Sequence, residues 1–260
     1  MGSPDAARSG LAGTFRHRGV AEAYRHRPPY PAEVFGILDR LVVDEPRVVL
    51  DLGAGEGALA RPLAARMSRV DAVEVSVAMV EAGRNRPGGA RDNLRWIVGG
   101  VESVPLHGPY GLVTAGASLH WMRWRPLMRR LSAAMTERAV LAIVDHGARD
   151  LPWAREVTGV IRRHSRSARY DPGYSLVNAL RTDGCFRLVG RVETAPVPFR
   201  QPVEAYVEQF HSTASLAREL MPEREAADFD AAIEAAVRPW ARDGMLELPI
   251  VATLSWGRPA

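Results

Sequence analysis

Apolar and polar positions along this chain follow two rhythms. Val48-Val49-Leu50 is a short unbroken apolar run, the pattern of a strand buried on both faces of a parallel sheet. Further strands are predicted over 70–75, 93–98, 110–116 and 139–144. Between them apolar residues recur at helical spacing: Val34, Ile37, Leu38 and Leu41 predict a helix over 32–43. Helices are also predicted over 58–67 and 76–84, with another completed by 127–135. Strands alternating with helices predict an α/β fold. After Asp145 the alternation loosens, with helices predicted over 153–164, 176–181, 203–219 and 224–240 and strands over 187–197 and 248–256.

The sharpest local feature follows the first strand. Gly53, Gly55 and Gly57 stand at alternate positions and mark a tight strand-to-helix turn, where the missing Cβ atoms let a ligand lie against the backbone. Two ligands fit such a turn. Gly53, Gly55 and Ala58 satisfy the dinucleotide fingerprint, which points to a nicotinamide dinucleotide. Asp51, at the end of the strand, points elsewhere: its carboxylate repels a pyrophosphate and attracts a ligand bearing an ammonium and a sulfonium, as S-adenosylmethionine does. At the end of the second strand, Glu74 offers two acceptors in one plane, which suits a pair of ribose hydroxyls; capping the helix over 76–84 is its plainer role.

Composition narrows the picture. With 260 residues and 47% hydrophobic content the chain can build one large α/β domain with a modest cap. Its longest apolar runs fall well short of the roughly 20 residues of a membrane span, and the first ten residues lack the apolar centre of a signal peptide, so a soluble, cytoplasmic protein is expected. Cys185 is the single cysteine, and no Cys/His cluster suggests a metal. The net charge is +4, but all 34 basic residues are Arg, interspersed with 30 acids. That uniformity is the mark of a GC-rich genome, and the mixed surface speaks against a nucleic-acid partner. The densest basic cluster is Arg162, Arg163, Arg166 and Arg169.

The run Val49-Leu50-Asp51-Leu52-Gly53-Ala54-Gly55-Glu56-Gly57 closely resembles motif I of the class I S-adenosylmethionine-dependent methyltransferases. Two further segments resemble the subgroup that includes the trans-aconitate methyltransferases. Tyr24-Arg25-His26-Arg27-Pro28-Pro29-Tyr30-Pro31 is similar to its Tyr/Arg-Pro/Tyr-Pro segment, read here as extended and rigid, and Leu119-His120-Trp121 is similar to its Leu-His-Trp signature. The resemblance runs over nearly everything beyond residues 1–19, which read as a polar, mobile arm. Two departures stand out: Gly100 and Gly111 occupy positions where the family often has an acid.

The resemblance implies a Rossmann-like, mostly parallel sheet of seven strands in the order 3-2-1-4-5-7-6, with helices on both faces and a helical cap. It implies an arm over 1–30 closing the cofactor site and a domain over 31–260 with cap insertions around 146–182 and 200–244. The implied cofactor residues are Tyr24, Arg27, Tyr30, Asp51, Gly53, Ala54, Gly55, Gly57, Glu74, Val75, Gly100, Val101, Glu102, Gly116 and Trp121. His120 is the implied catalytic residue, as a base or as an orienting group. The implied function is methyl transfer from S-adenosyl-L-methionine to a small-molecule substrate, with O-methylation in bacterial secondary metabolism as the leading reading. A methyltransferase fold that binds the cofactor for another reaction or for regulation, and an NAD(P)-dependent oxidoreductase, stay open as alternatives. The oligomeric state is not readable.

Overall fold

The computed structural model describes residues 13–167, 171 and 173–260; the expectations for residues 1–12 and for Arg169 lie outside them. In chain order the elements are α1 Arg18–Tyr24, α2 Glu33–Leu41, β1 Val48–Leu52, α3 Ala60–Ala64, β2 Arg69–Glu74, α4 Val77–Arg84, β3 Leu94–Val98, β4 Tyr110–Gly116, α5 Trp124–Ala134 and β5 Met135–Ala148. They continue with α6 Ala154–His164, α7 Leu176–Thr182, β6 Phe186–Glu193, β7 Val197–Pro202, α8 Val203–Glu208, α9 Glu223–Val237 and β8 Met245–Pro259. The chain divides into two units.

One unit holds residues 30–146, 175–194 and 252–260 and is built on the sheet. The strand order is β3-β2-β1-β4-β5-β8-β6. The pairs β1 with β2, β1 with β4, β2 with β3 and β4 with β5 are parallel, and β6 runs antiparallel to β8. Side chains alternate across a strand, so the short apolar run of β1 feeds two cores. Val49 joins Val34 and Leu38 of α2 and Leu63 of α3 on one face. Val48, Leu50 and Leu52 join Leu127, Met128 and Leu131 of α5 on the other. Burial on both faces is what the unbroken apolar run requires.

The second unit holds residues 1–29, 147–174 and 195–251, described from Gly13 onward. Here β7 pairs antiparallel with the first half of β8, from Val197 opposite Ile250 to Pro202 opposite Met245. A core of Trp153, Val157, Phe229, Ile233, Leu246 and Leu248 joins α6, α9 and that strand.

Several boundaries differ from the sequence reading. The sheet has eight strands, not seven, because the strand predicted over 187–197 stops short and a further strand, Val197–Pro202, follows it. β6 ends at Glu193, and pairing resumes only at Val197 after Pro196, which has no N–H to donate. The last strand still lies between β5 and β6, so the predicted order holds with that strand numbered eighth. The helix predicted over 203–219 stops at Glu208 and gives way to single 3-10 turns, Gln209–Ser212, Ala214–Leu216 and Arg218–Leu220. Ser212 Oγ turns back to the Gln209 carbonyl, and Thr213 is extended, with φ −88° and ψ 129°. Such side-chain bonds compete with the helical ladder. The first crossover helix, Ala60–Ala64, is likewise shorter than the predicted 58–67. Finally, Tyr24 is not extended: it ends α1, whose Val20, Ala21 and Ala23 are buried, and the chain straightens only from Pro28.

Candidate functional site

The three glycines after β1 all take left-handed backbone angles, φ +62° at Gly53, +57° at Gly55 and +78° at Gly57. Only glycine adopts these without strain. Their surroundings differ. A Cβ on Gly53 would stand 2.7 Å from Ser118 Cβ, and one on Gly57 would stand 2.6 Å from the Trp96 ring. A Cβ on Gly55 would meet nothing within 4 Å. The outer glycines are therefore packed, and Gly55 faces open space. Ala54, between them, is buried and donates its N–H to the Val73 carbonyl, which ties the turn to β2.

Two carboxylates flank this turn. Asp51 lies at the carboxyl end of β1 and is 1% exposed. Its Oδ1 accepts a hydrogen bond of 2.7 Å from the Thr114 hydroxyl on β4, the residue registered opposite it. Its Oδ2 is buried and meets no well-aligned donor among the described residues, the Ala60 N–H being the backbone donor near this carboxylate. Burial pushes the Asp51 carboxyl up to about 7; the Thr114 hydroxyl and the Ala60 N–H oppose the rise, and the nearby Glu74 charge adds to it. Glu74 ends β2, with one oxygen accepting from the Gly55 N–H at 2.8 Å and the other from the Ser76 N–H at 2.9 Å. Burial raises its pKa too, against those backbone bonds. The carboxylate is thus pinned against Gly55, with lone pairs left on both oxygens.

The helix cap considered for Glu74 belongs to Ser76, whose hydroxyl accepts from the Met79 N–H at 3.3 Å. Beside it Val75 is exposed, as are Val77 and, at the end of β3, Val98. Val101 is buried, and the Gly100 carbonyl accepts from the Ser103 N–H. Glu102 is half-buried and accepts from the Arg123 N–H at 3.1 Å, tying the loop after β3 to the start of α5.

At the end of β4, Gly116 is registered opposite Val144 of β5. Ala117 then takes φ +49°, a conformation rare for a residue with a side chain. The next residue, Ser118, donates its hydroxyl to the Leu52 carbonyl. That kink and tether fix the short 3-10 turn Leu119–Trp121, in which the His120 and Trp121 ring centroids lie 4.6 Å apart. Tyr30, in the same unit, stacks on His146 with ring centroids 3.9 Å apart. A Cβ on Gly116 would stand 2.6 Å from the Tyr30 hydroxyl oxygen.

Of the residues singled out from sequence, the sheet unit gathers Asp51, the glycines, Glu74, Gly116, His120, Trp121 and Tyr30 along the carboxyl edge of β1, β2, β4 and β5. Tyr24 and Arg27 belong to the other unit. There the Arg27 guanidinium lies 4.1 Å from the Tyr24 ring centroid and bonds Ser212 Oγ at 2.7 Å. Sequence reasoning missed Thr114, Ser118 and His146. Each lies at a strand end far along the chain from what it touches, and only a strand-end position in a predicted α/β sheet could have pointed to them.

A glycine turn after the first strand, an acid at the end of the second and a mostly parallel sheet of this order define a Rossmann-like cofactor-binding domain. Within that class, residues 49–138 match the family model described as a methyltransferase domain. The chain is similar to a trans-aconitate 2-methyltransferase of Mycolicibacterium gilvum, 32% identical over 141 residues, 53% of this chain and 51% of that protein. The chain spans about half the length of the curated relatives it matches. Among solved structures it shares its fold with a candidate type II methyltransferase from Anaeromyxobacter dehalogenans, at TM-score 0.60 and 22% identity over 89% of this chain and 96% of that one. It also shares it with a SAM-dependent methyltransferase from Thiobacillus denitrificans in complex with S-adenosyl-L-homocysteine, at TM-score 0.54 and 13% identity over 93% and 97%.

Proposed function

We propose that this protein transfers a methyl group from S-adenosylmethionine to an oxygen atom of a small organic acceptor. The observation that carries the reading is the buried Asp51 carboxylate at the end of β1, whose Oδ2 has no well-aligned hydrogen-bond donor among the described residues, followed by a turn in which Gly55 faces open space. A buried carboxylate oxygen left without a well-aligned donor is costly, and a ligand ammonium removes that cost. The same oxygen repels a pyrophosphate, which disfavours a nicotinamide dinucleotide. Glu74 has lone pairs for two ribose hydroxyls, and Val75 and Val98 offer apolar surface for a base. The donor set therefore fits S-adenosylmethionine.

When bound, that cofactor supplies a methyl group already activated by its sulfonium. What remains for the chain is alignment of the nucleophile and exclusion of water. His120, held by the Ala117 kink and the Ser118 tether, is the candidate group to take the proton of an acceptor hydroxyl or to orient an acceptor carboxylate. The trans-aconitate relative favours a carboxylate or hydroxyl acceptor. A role in bacterial secondary metabolism suits the arginine-only composition.

Thermal shift separates the cofactors: S-adenosylhomocysteine raises Tm and NAD does not. A shift with NAD alone reverses the assignment. With a turned-over acceptor, His120→Ala lowers kcat by about 10²- to 10⁴-fold if it acts as a base. The affinity for S-adenosylhomocysteine, read by calorimetry, stays intact. Unchanged turnover across the pH range removes His120 from the chemistry.

A further inference from the structure

We propose that His146 is a second histidine of this site, on the acceptor side, held in place by Tyr30. The inference rests on the methyl-transfer reading above. Ligands of open α/β sheets lie beyond the carboxyl ends of the strands. The residues suited to the cofactor, Asp51 and Glu74, end β1 and β2, so the acceptor has to approach over β4 and β5. His146 lies on β5 two residues beyond Val144, the partner of Gly116. It therefore stands past the last registered pair, on the edge where an acceptor enters.

Tyr30 links the two sides. Its hydroxyl lies over Gly116, where a Cβ would stand 2.6 Å from the phenol oxygen and 2.9 Å from Leu59 Cδ1, two residues past the glycine turn. Its ring leans on the His146 imidazole at 3.9 Å between centroids, tilted by 36°. One side chain thus reaches from the end of β4 to His146 on β5, and it accounts for glycine at position 116, because any side chain there displaces it. The stacked imidazole is half-buried and restricted to one orientation, as a group that must meet a small acceptor requires. Its chemistry suits an oxygen acceptor, through a hydrogen bond to a hydroxyl or a carboxylate. Asp145, whose carboxylate accepts from the His146 N–H at 2.9 Å, holds the backbone at that point.

The test is a crystal structure of the full chain with S-adenosylhomocysteine, read together with calorimetry. A histidine hydrogen-bonded to the acceptor atom on one side and the methyl on the other places a His146 ring nitrogen within about 8 Å of the homocysteine sulfur, given reacting atoms about 3 Å apart. A longer distance overturns the proposal, and it does so whether or not any variant folds. His146→Gln keeps S-adenosylhomocysteine affinity within about twofold of the native protein. A loss of tenfold or more makes His146 a cofactor residue and also overturns the proposal. With a panel of carboxylic acids headed by trans-aconitate, any acceptor that is turned over shows a KM raised at least tenfold in His146→Gln; an unchanged KM overturns the assignment. If the native protein does not bind S-adenosylhomocysteine at all, the cofactor reading fails first, and that result is distinct from these.

Discussion

Asp51 is the residue through which pH acts on this site. Its carboxyl is raised to about 7 in the fold, chiefly by burial, against about 4 in an unfolded chain. Between those values the native state holds a proton that the unfolded chain has shed, so this residue's contribution to stability falls as pH rises from about 4 to 7. A ligand ammonium needs the ionised form, so the affinity for S-adenosylhomocysteine rises through the same window, by up to about tenfold per pH unit below 7. Melts at pH 5.5, 6.5 and 7.5 check both: the free protein loses Tm with rising pH while the ligand-induced increment grows. A flat increment removes Asp51 from the ligand contact. The glycines make a sharper contrast. Gly55→Val abolishes binding, because its side chain fills the open face; Gly57→Ala strikes the Trp96 ring at φ +78° and shows chiefly as a lower Tm. Equal effects of the two on calorimetric affinity and Tm count against the split. That glycines line this turn was legible in the sequence, but which of them faces a ligand was not. The difference lies in Ser118 and Trp96, whose distance along the chain no local spacing encodes.

At the scale of elements, legibility followed burial. Strands β1, β2 and β4 are short and flanked by neighbours on both sides, so an apolar run identifies each of them within a residue or two. The stretch after β7 was misread because its apolar residues keep helical spacing while its polar ones interrupt the ladder. His211 is buried, with Nδ1 at 2.7 Å from the Leu216 carbonyl and Nε2 at 2.7 Å from Asp230 of α9. The 3-10 turns are therefore held by tertiary contacts that propensity cannot report. Their anchor is Phe229, fully buried on α9 and packed edge-on against His164, Phe210 and His211 at 5.5, 6.1 and 5.4 Å between centroids. Phe229→Ala should cost about 3–5 kcal/mol, the usual loss for a large aromatic removed from a core. Urea unfolding followed by circular dichroism measures it; a loss below about 1 kcal/mol means the turns do not rely on this ring.

For the whole molecule the informative fact is connectivity. The chain passes between its two units five times, so neither is a continuous piece of sequence. Even β8 is divided: its residues up to Ile250 pair with β7, and those from Thr253 onward pair with β6. Unfolding either unit frees both ends of segments on which the other is closed, which raises the entropy that its own contacts have to hold down. We therefore predict one cooperative transition. The tryptophans supply separate reporters, with Trp153 and Trp240 in one unit and Trp96, Trp121, Trp124 and Trp256 in the other. A chain carrying only the first pair and a chain carrying only the second four, with phenylalanine at the remaining positions, should each melt at the temperature their own circular dichroism reports. S-adenosylhomocysteine, whose proposed contacts Asp51, Gly55 and Glu74 all lie in the sheet unit, should then raise the fluorescence midpoint of both chains together. Mass action on one part of a cooperative fold stabilises all of it. A ligand shift seen only by the sheet unit's tryptophans, or a Trp153 and Trp240 signal that melts ahead of the backbone, would mean that the units unfold independently and that the divided β8 transmits no stability between them.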